Sequence, residues 1–205
     1  MKGYLITFEG IDGSGKSTQA RLFQEYLHSL GRSAILLREP GGTDIGEKIR
    51  SLLADKNHSD MSPFTELFLF LAARAQITST VIEPALEQGD DVIMDRFLDS
   101  TTAYQGYARN LGIEETAYLN LLATGGLFPD ITFVIDCDPL TALSRVGVEP
   151  DRLESEGIEF MKKVREGFIK LCVTEPDRLK LIDGSGEIDV VRADIEDRVK
   201  HLFIG

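Results

Sequence analysis

Short apolar runs alternate along the chain with longer segments in which apolar residues recur every three or four positions. Continuous aliphatic runs are typical of strands buried on both faces, and their alternation with amphipathic helices is typical of a parallel sheet covered by helices. The runs predict strands at 3–8, 34–38, 91–95, 131–136 and 178–182. The periodic segments predict helices at 16–30, 44–54, 63–88, 99–107, 113–124, 139–146, 155–173 and 187–203.

Several boundaries carry their own signals. Gly31 follows the first predicted helix, and Pro63 and Pro139 stand where helices are predicted to begin. No internal repeat or interdomain linker interrupts the pattern, which therefore predicts a single α/β domain over 1–205. The one irregular stretch, 145–154, combines glycine, proline and mixed charge. We expect a short lid at about 145–155, with a plain surface loop as the alternative.

The segment 10–18 matches the phosphate-binding loop (P-loop) pattern G-x-x-x-x-G-K-[ST], after a predicted strand and at the start of a predicted helix. Its glycines let successive backbone N–H groups point inward and hold the β-phosphate of a nucleotide at the helix N-terminus. Lys16 can bridge the β- and γ-phosphates, and the hydroxyl of Ser17 can reach Mg²⁺. The predicted ATP-binding residues are Gly10, Ile11, Asp12, Gly13, Ser14, Gly15, Lys16, Ser17 and Thr18.

A P-loop does not by itself say what is done with the nucleotide. The chain contains no Asn-Lys-x-Asp motif for reading guanine, which argues against a GTPase. With 205 residues it is short for the additional machinery of motor or transporter ATPases. Its net charge of −12 argues against a helicase or any other nucleic-acid partner, because such proteins bind phosphates through basic surfaces. A small kinase remains the main interpretation.

Two further groups of residues fit a phosphotransferase. The strand at 91–95 delivers Asp95 and Arg96 to the C-terminal edge of the sheet, where open α/β sheets bind ligands. Asp95 can hold a water on Mg²⁺, and Arg96 can lie between donor and acceptor phosphates; a salt bridge between the two is the alternative. Phe70 and Arg74 share one helix face and can stack on a base and bond its edge. A core Phe beside a surface Arg is the other reading of that pair.

Four segments resemble the motifs of bacterial thymidylate kinases, in the order and spacing of that family. They are FEGIDGSGKST at 8–18, REPGGT at 38–43, LFLAAR at 69–74 and DRFLDSTTAYQG at 95–106. The resemblance runs from about residue 3 to residue 200. It implies a P-loop kinase of the nucleoside monophosphate kinase type with a five-stranded parallel sheet, usually a homodimer. Such an enzyme transfers the γ-phosphoryl group of ATP to dTMP with Mg²⁺, giving dTDP and ADP for dTTP biosynthesis.

The resemblance also implies roles around dTMP. Phe70 is expected to stack on thymine, and Arg74 and Gln105 to read its O4 and N3–H. Tyr104 is expected to lie against the deoxyribose where a 2′-hydroxyl would clash. Asp12 is expected to accept from the 3′-hydroxyl or to act near Mg²⁺. The residues implied to bind dTMP, with the phosphate assigned to Arg50, Arg96 and Ser100, are Glu39, Pro40, Arg50, Phe70, Arg74, Arg96, Ser100, Tyr104 and Gln105.

The lid is where the chain departs from the family pattern. In the family one arginine, from the P-loop or from the lid, covers the transferring phosphate, and P-loop positions 11–14 contain no basic residue here. The lid must therefore supply it. Arg152, in a segment resembling the family's Asp-Arg-x-Glu, is the first candidate and Arg145 the second. The full set of predicted catalytic residues is Lys16, Arg96, Asp95, Asp12, Arg152 and Arg145, with Ser17 and, through a water, Asp95 toward Mg²⁺.

Three smaller departures or ambiguities remain. Phe97 and Phe168 stand where the family often has tyrosine or histidine, which removes possible hydroxyl contacts. The glycine-containing loop at 183–186 is expected to pack on adenine, with a simple turn as the alternative. The segment 63–88 is apolar nearly all round, which predicts the interface of a homodimer or else a fully internal helix.

Two other functions stay open, namely a kinase for another small acceptor, such as a nucleoside or dephospho-coenzyme A, and a non-catalytic nucleotide-binding switch. The residues at 70, 74 and 105 argue against the first, and the Asp95–Arg96 pair with the lid argues against the second. The longest apolar run, 67–73, is far too short to span a membrane. The two cysteines form no disulfide framework. We therefore expect a cytoplasmic protein without a membrane partner.

Overall fold

One parallel sheet of five strands, in the order β2-β3-β1-β4-β5, organises the computed structural model, which describes residues 2–145 and 152–203. The strands are β1 Leu5–Glu9, β2 Ala34–Arg38, β3 Asp91–Asp95, β4 Ile131–Asp136 and β5 Leu179–Asp183. All five residues of the central strand β1 are buried, because helices cover both faces of the sheet. The predicted fold class and strand set are confirmed.

The helices follow the predicted order. They are α1 Lys16–Ser29, α2 Asp44–Ala54, α3 Pro63–Ile77, α4 Glu83–Gln88, α5 Leu98–Thr101, α6 Ile113–Ala123, α7 Pro139–Arg145, α8 Ile158–Thr174 and α9 Ile188–Phe203. Short 3₁₀ turns cover Lys56–His58 and Glu154–Glu156, and π-helical turns cover Thr78–Ile82 and Thr102–Ala108. Thr43 and Ser62 cap α2 and α3 with their side-chain oxygens, which fixes where both helices begin.

Two predicted helices are interrupted. The segment 63–88 is helical throughout, as predicted, but a π-helical turn at Thr78–Ile82 separates α3 from α4. Pro84 supplies the reason: it has no N–H for the preceding turn, and its ring crowds the carbonyl four residues earlier. The helix predicted at 99–107 likewise begins as a single α-helical turn and continues as the π-helical turn Thr102–Ala108.

The alternation of side chains along β1 divides the core. Ile6 and Phe8 face α1 and α9, where they pack with Phe23 and Phe133 in one apolar cluster. Leu5 faces the opposite side and packs against α4 and β3 in a second cluster. Glu9, the last residue of β1, lies on that second side, which carries the beginning of α5.

The strand order places a ligand site at one edge. The connection after β1 leads to β2 on one side of β1, whereas the connection after β3 leads to β4 on the other side of β1. Ligands of open α/β sheets bind in the crevice formed where the connections diverge in this way. The register pairs Phe8 with Asp95, so the P-loop after β1 and Arg96 after β3 leave the sheet side by side.

Two expectations concern other parts of the chain. Residues 146–151 of the predicted lid lie outside the described residues. Within the described ranges, no helix combines the length and the apolar character needed to cross a bilayer.

The two cysteines, Cys137 and Cys172, are buried free thiols. Burial raises the pKa of Cys172 to about 12.

Candidate active site

The P-loop joins β1 to α1 in a conformation that its glycines permit. Gly13 has φ +80°, and a Cβ there would lie 2.1 Å from the carbonyl oxygen of Ala142. Gly15 has φ +99° and forms the N-cap of α1. An L-residue at either position would be strained, and at Gly13 it would also collide with α7. The loop therefore presents its backbone, and the open N-terminus of α1, to one pocket.

This first pocket, the nucleotide pocket, lies between the P-loop and the loop after β5. It is lined by 13–19, Ile135, Arg145, 184–188 and Val191. Six of the nine predicted ATP-binding residues, those at 13–18, belong to this lining. The other three do not line it. Ile11 is buried in the core, the carbonyl of Gly10 accepts a hydrogen bond from Arg96, and Asp12 lines the second pocket described below. Arg145 and residues 184–186 of the loop predicted to pack on adenine also belong to this lining.

A second pocket, the acceptor pocket, lies on the other side of the P-loop. Its lining contains all nine residues predicted to bind dTMP, together with Asp12, Leu53, Ala54, Thr101 and Leu153. Phe70 is half-buried at its wall, and Tyr104 and Gln105 are buried. Arg50 donates to the carbonyl of Pro40 at 3.2 Å. Residues from five separate segments of the chain thus converge on one concave surface.

Arg96 joins the P-loop to the acceptor pocket. Its backbone is in the left-handed region, with φ +69°, which turns the side chain back across the P-loop. Nη1 donates to the carbonyl of Gly10 at 3.0 Å and to Oγ of Ser100 at 2.9 Å. Nη2 donates to Oδ1 of Asp12 at 2.6 Å and to the hydroxyl of Tyr104 at 3.2 Å. The guanidinium is therefore fixed between the nucleotide side and the acceptor side.

Asp12 lies between two cations. Lys16 donates to its Oδ1 at 3.1 Å, and Arg96 approaches the same oxygen. Burial alone would raise the pKa of Asp12, but the charges of Arg96 and Lys16 outweigh it and hold the pKa well below the usual range. Asp12 is consequently ionised at neutral pH. Two cations therefore meet one anion at this point.

Asp95 and Ser17 provide oxygen atoms suited to Mg²⁺. Oδ1 of Asp95 is buried, and no hydrogen-bond partner for it exists among residues 2–145 and 152–203. Ser17 is exposed at the beginning of α1. The part of the chain that the structure describes contains no group of three His, Cys, Asp or Glu side chains that could hold a metal unaided. Mg²⁺ accepts few protein ligands and completes its shell with phosphates and water, so these residues fit it.

Arg74 forms the floor of the acceptor pocket and is 1% exposed. Nε donates to Oε2 of Glu39 at 2.8 Å, and Nη1 to Thr101 and Asn120 at 2.9 and 2.6 Å. Nη2 donates to the carbonyl of Phe97 at 2.9 Å and lies 2.7 Å from Oε2 of Glu39. Burial raises the pKa of Glu39, against the opposing charge of Arg74. Arg74 thus ties four segments together.

Comparisons of this chain with known proteins agree with this geometry. The family pattern described as thymidylate kinase matches residues 8–195. A thymidylate kinase of Thermoanaerobacter sp. (strain X514) is 51% identical over 99% of this chain and 100% of its own length. One from Caldanaerobacter subterraneus subsp. tengcongensis is 48% identical over 100% of this chain and 99% of its own. The crystal structure of thymidylate kinase from Ehrlichia chaffeensis superposes with a TM-score of 0.81, at 35% identity, covering 97% of this chain and 100% of that one.

The chain belongs to the thymidylate kinase family.

Membership in the thymidylate kinase family leaves open which arginine covers the transferring phosphate. Arg145 lines the nucleotide pocket, and its Nη1 lies 3.5 Å from the carbonyl oxygen of Gly184. Arg152 is buried on the acceptor side, where Nε donates to the carbonyl of Leu53 at 2.8 Å and Nη2 to Oε2 of Glu66 at 2.7 Å. The predicted contact of Arg152 with the γ-phosphate stays a prediction. In this structure the guanidinium is bonded to Leu53 and Glu66 instead.

Sequence reasoning missed two buried carboxylates of this site, Glu9 and Glu66. Glu9 accepts from the backbone N–H groups of Phe97 and Ser100 and from Oγ of Ser100. Burial, with help from the nearby Asp99, raises the pKa of Glu9 to about 7. Glu66 accepts from three side chains behind the acceptor pocket. The available signal was the same for both: a lone acidic residue inside an otherwise apolar strand or helix.

The two phenylalanines that depart from the thymidylate kinase family pattern are core residues. Phe97 is fully buried and packs beside the guanidinium of Arg74, with 5.4 Å from ring centroid to Cζ. Phe168 packs edge-on against Tyr104 at 6.3 Å between ring centroids. Both rings therefore support residues of the acceptor pocket through packing, without the hydrogen bonds that a hydroxyl would add.

Proposed function

We propose that this protein transfers the γ-phosphoryl group of ATP to dTMP, giving ADP and dTDP. The observation that carries the proposal is the position of Arg96, which bonds the P-loop at Gly10 and Asp12 and lines an acceptor pocket that contains all nine residues expected around dTMP. In this reaction an oxygen of the acceptor phosphate attacks the γ-phosphorus while its bond to the β,γ-bridging oxygen breaks. Such transfers depend mostly on positioning and on neutralising charge.

On the donor side, the inward N–H groups of the P-loop and the N-terminus of α1 support binding of the β-phosphate. Lys16, 6% exposed, adds a positive charge at the same pocket. Asp95 and Ser17 would hold Mg²⁺ together with the nucleotide phosphates and water. When bound, Mg²⁺ neutralises charge on the β- and γ-phosphates. We place adenine in the part of the nucleotide pocket that is lined by Arg145 and the loop 184–188.

On the acceptor side, Arg50 and Arg96 are suited to the dTMP phosphate because both guanidinium groups line the pocket, and Ser100 lines it beside Arg96, from which its hydroxyl accepts a hydrogen bond. The ring of Phe70 provides a stacking surface for the base. Tyr104, buried beside Arg96, narrows the pocket at the sugar. This proposal puts the phosphate, sugar and base of dTMP in sequence along one pocket.

The base would be read by Gln105 and Arg74. Gln105 lines the pocket and can accept from the N3–H of thymine. The N–H groups of Arg74 already face protein acceptors, so a bond to thymine O4 requires one of these partners to be exchanged. Among the acceptors bonded to Arg74, Thr101 is a side-chain hydroxyl. We propose that thymine O4 takes the place of this hydroxyl.

An acceptor panel tests the proposal. In a coupled assay of ADP release we expect kcat/KM for dTMP to exceed that for dCMP and dGMP by about 10³-fold or more, since a wrong base leaves buried polar groups unpaired. dUMP, which has the same pairing edge as dTMP, serves as the matched acceptor. Comparable kcat/KM for dCMP would contradict the base assignment, and turnover of a nucleoside or dephospho-coenzyme A instead would favour the other kinase reading.

We also propose a homodimer through the face formed by α2, α3 and α6. α3 packs against both other helices, and the three expose large apolar side chains. These are Leu52, Phe64, Phe68, Tyr118, Leu121 and Leu122, exposed by 37 to 61%. Phe64 and Phe68 stack one turn apart, with 6.2 Å between ring centroids. Apolar patches of this kind mark subunit interfaces more often than free surfaces.

Sedimentation velocity measures the oligomeric state directly. We expect the wild type to sediment as a dimer at micromolar concentration, and Phe64→Glu/Phe68→Glu to shift it toward monomer because two charges would enter an apolar interface. Val173→Glu on α8, which replaces another exposed apolar residue away from this face, is the control. A wild-type monomer at these concentrations would overturn the proposal.

A further inference from the structure

A carboxylate buried within the apolar helix α3 receives four hydrogen bonds behind the acceptor pocket. The side chain of Glu66 is 1% exposed. Its Oε1 accepts from Nε2 of Gln105 at 2.8 Å and from Nε of Arg109 at 3.0 Å. Its Oε2 accepts from Nη2 of Arg109 at 3.0 Å and from Nη2 of Arg152 at 2.7 Å. Two guanidinium groups and one amide therefore converge on a single carboxylate.

This arrangement keeps Glu66 ionised. Burial by itself would raise its pKa, but the hydrogen bonds from Arg109 and Gln105, with the charge of Arg109 and the bond from Arg152, lower the pKa below its usual value. An ionised carboxylate accepts hydrogen bonds and donates none. Gln105 can consequently meet Glu66 only with its amide nitrogen.

The orientation of the Gln105 amide follows from that constraint. The nitrogen and the oxygen of a carboxamide lie on opposite sides of its terminal carbon, so a nitrogen held by Glu66 turns the oxygen away from Glu66. Gln105 is 1% exposed and lines the acceptor pocket. The atom left to meet a ligand is therefore an acceptor, Oε1, and the amide lacks the freedom to flip that an isolated glutamine has.

We propose that Glu66 is a positioning residue that fixes Gln105 as an acceptor and thereby selects bases that carry an N3–H. The inference rests on the proposed function, since it assigns the base end of the acceptor pocket to Gln105. Thymine and uracil present a donor at N3, which pairs with Oε1. Cytosine presents a lone pair there, and two acceptors facing each other in a buried site are strongly disfavoured.

Glu66→Gln tests this inference because it inverts the network with little change in shape. The amide oxygen of the new side chain is best placed at the Oε2 position, where two charged donors meet it. Its NH₂ group then faces Gln105, which must turn its own oxygen toward it, and also faces Nε of Arg109, which loses its bond at this position. The amide nitrogen of Gln105 would in turn face the pocket, where it can donate to N3 of cytosine.

The expected result is a change in base preference. We expect Glu66→Gln to lower the dTMP-to-dCMP ratio of kcat/KM by about tenfold or more, since hydrogen-bond complementarity at the base is partly reversed. The ratio of dTMP to dUMP should stay as in the wild type, because both acceptors present the same edge. The KM for ATP should also stay unchanged, because Glu66 lies on the acceptor side.

Two further variants separate orientation from stability. Arg109→Met removes two of the bonds to Glu66 but keeps the bond from Gln105, so it should leave the dTMP-to-dCMP ratio within about threefold of wild type. Glu66→Gln/Arg109→Met removes a carboxylate together with one of its cations, and provides a folded variant if the single change destabilises the protein. We expect this double variant to show the same altered ratio as Glu66→Gln.

The outcomes are distinct. A folded Glu66→Gln or double variant with the wild-type dTMP-to-dCMP ratio would overturn the role of Glu66, even if all rates fell together. A wild-type enzyme that uses dCMP as readily as dTMP would instead overturn the proposed base assignment itself. An equal change of ratio in Arg109→Met would show that the whole charge network, rather than the Glu66–Gln105 bond, sets base preference, and would also contradict the inference.

Discussion

Lys16→Ala is expected to lower kcat by at least about 10³-fold, because a preorganised charge at the transferring phosphate is lost from a buried position. Lys16 is 6% exposed, and its Nζ reaches Oδ1 of Asp12 at 3.1 Å and the carbonyl of Ile11 at 3.4 Å. In the variant, Asp12 keeps its bond to Arg96. The fold should therefore survive. ADP release at saturating ATP and dTMP measures the effect, and a thermal melt checks the fold.

The matched control for this variant is Lys163→Ala. Lys163 is an exposed lysine on α8 and belongs to neither pocket lining. We expect its kcat to stay within about twofold of wild type, as is usual for surface changes. Near-normal turnover of Lys16→Ala at saturating ATP would mean that the P-loop is not used for phosphoryl transfer. Unfolding of the variant would show as a lowered melting temperature and is distinguished from lost chemistry in that way.

The sequence predicted the parts of the site that local chemistry determines. The P-loop is a contiguous motif between a buried strand and a helix, and the order of apolar runs predicts which strand ends can meet. The residues from Glu39 to Gln105 were placed by family resemblance, and the structure brings all nine into one pocket. In each case the information lies within a short segment or in the order of segments.

Long-range ion pairs could not be predicted in the same way. Arg152 meets Glu66 across 86 positions, and Arg74 meets Glu39 across 35. Nothing in the local pattern says which of many acidic residues an arginine will meet, since that depends on how α2, α3 and the chain after residue 151 pack. The sequence therefore identified Arg152 as a candidate for phosphate contact, whereas the fold pairs its guanidinium with Glu66.

Helix interruptions were missed for a related reason. Apolar periodicity over 63–88 is nearly continuous, so it predicts one helix and does not resolve an extra residue in one turn. The proline at position 84 was visible, but a proline can end a helix, bend it or widen the turn before it. Packing of α4 against β3 is compatible with the third of these outcomes.

The positions of three arginines predict a ranking of their effects on kcat. Arg96 joins the P-loop to the acceptor pocket, Arg145 lies at the nucleotide pocket, and Arg152 is paired with Glu66. We expect Arg96→Lys to lower kcat by about 10³-fold, since a guanidinium that neutralises charge in phosphoryl transfer is worth at least that much. Lysine keeps the charge but loses the fork that bonds Gly10, Ser100 and Asp12 at once.

Arg145→Ala and Arg152→Ala complete the test, and each controls for the other. We expect Arg145→Ala mainly to raise the KM for ATP and Arg152→Ala mainly to raise the KM for dTMP, with kcat changed by less than about tenfold in both. Steady-state kinetics with each substrate varied in turn separates these effects. A loss of about 10³-fold in kcat for Arg152→Ala, with little change in dTMP binding, would instead establish the γ-phosphate contact predicted from the sequence. Arg152 would then have to leave Glu66 during the reaction, because its guanidinium cannot hold the carboxylate and cover the P-loop at the same time.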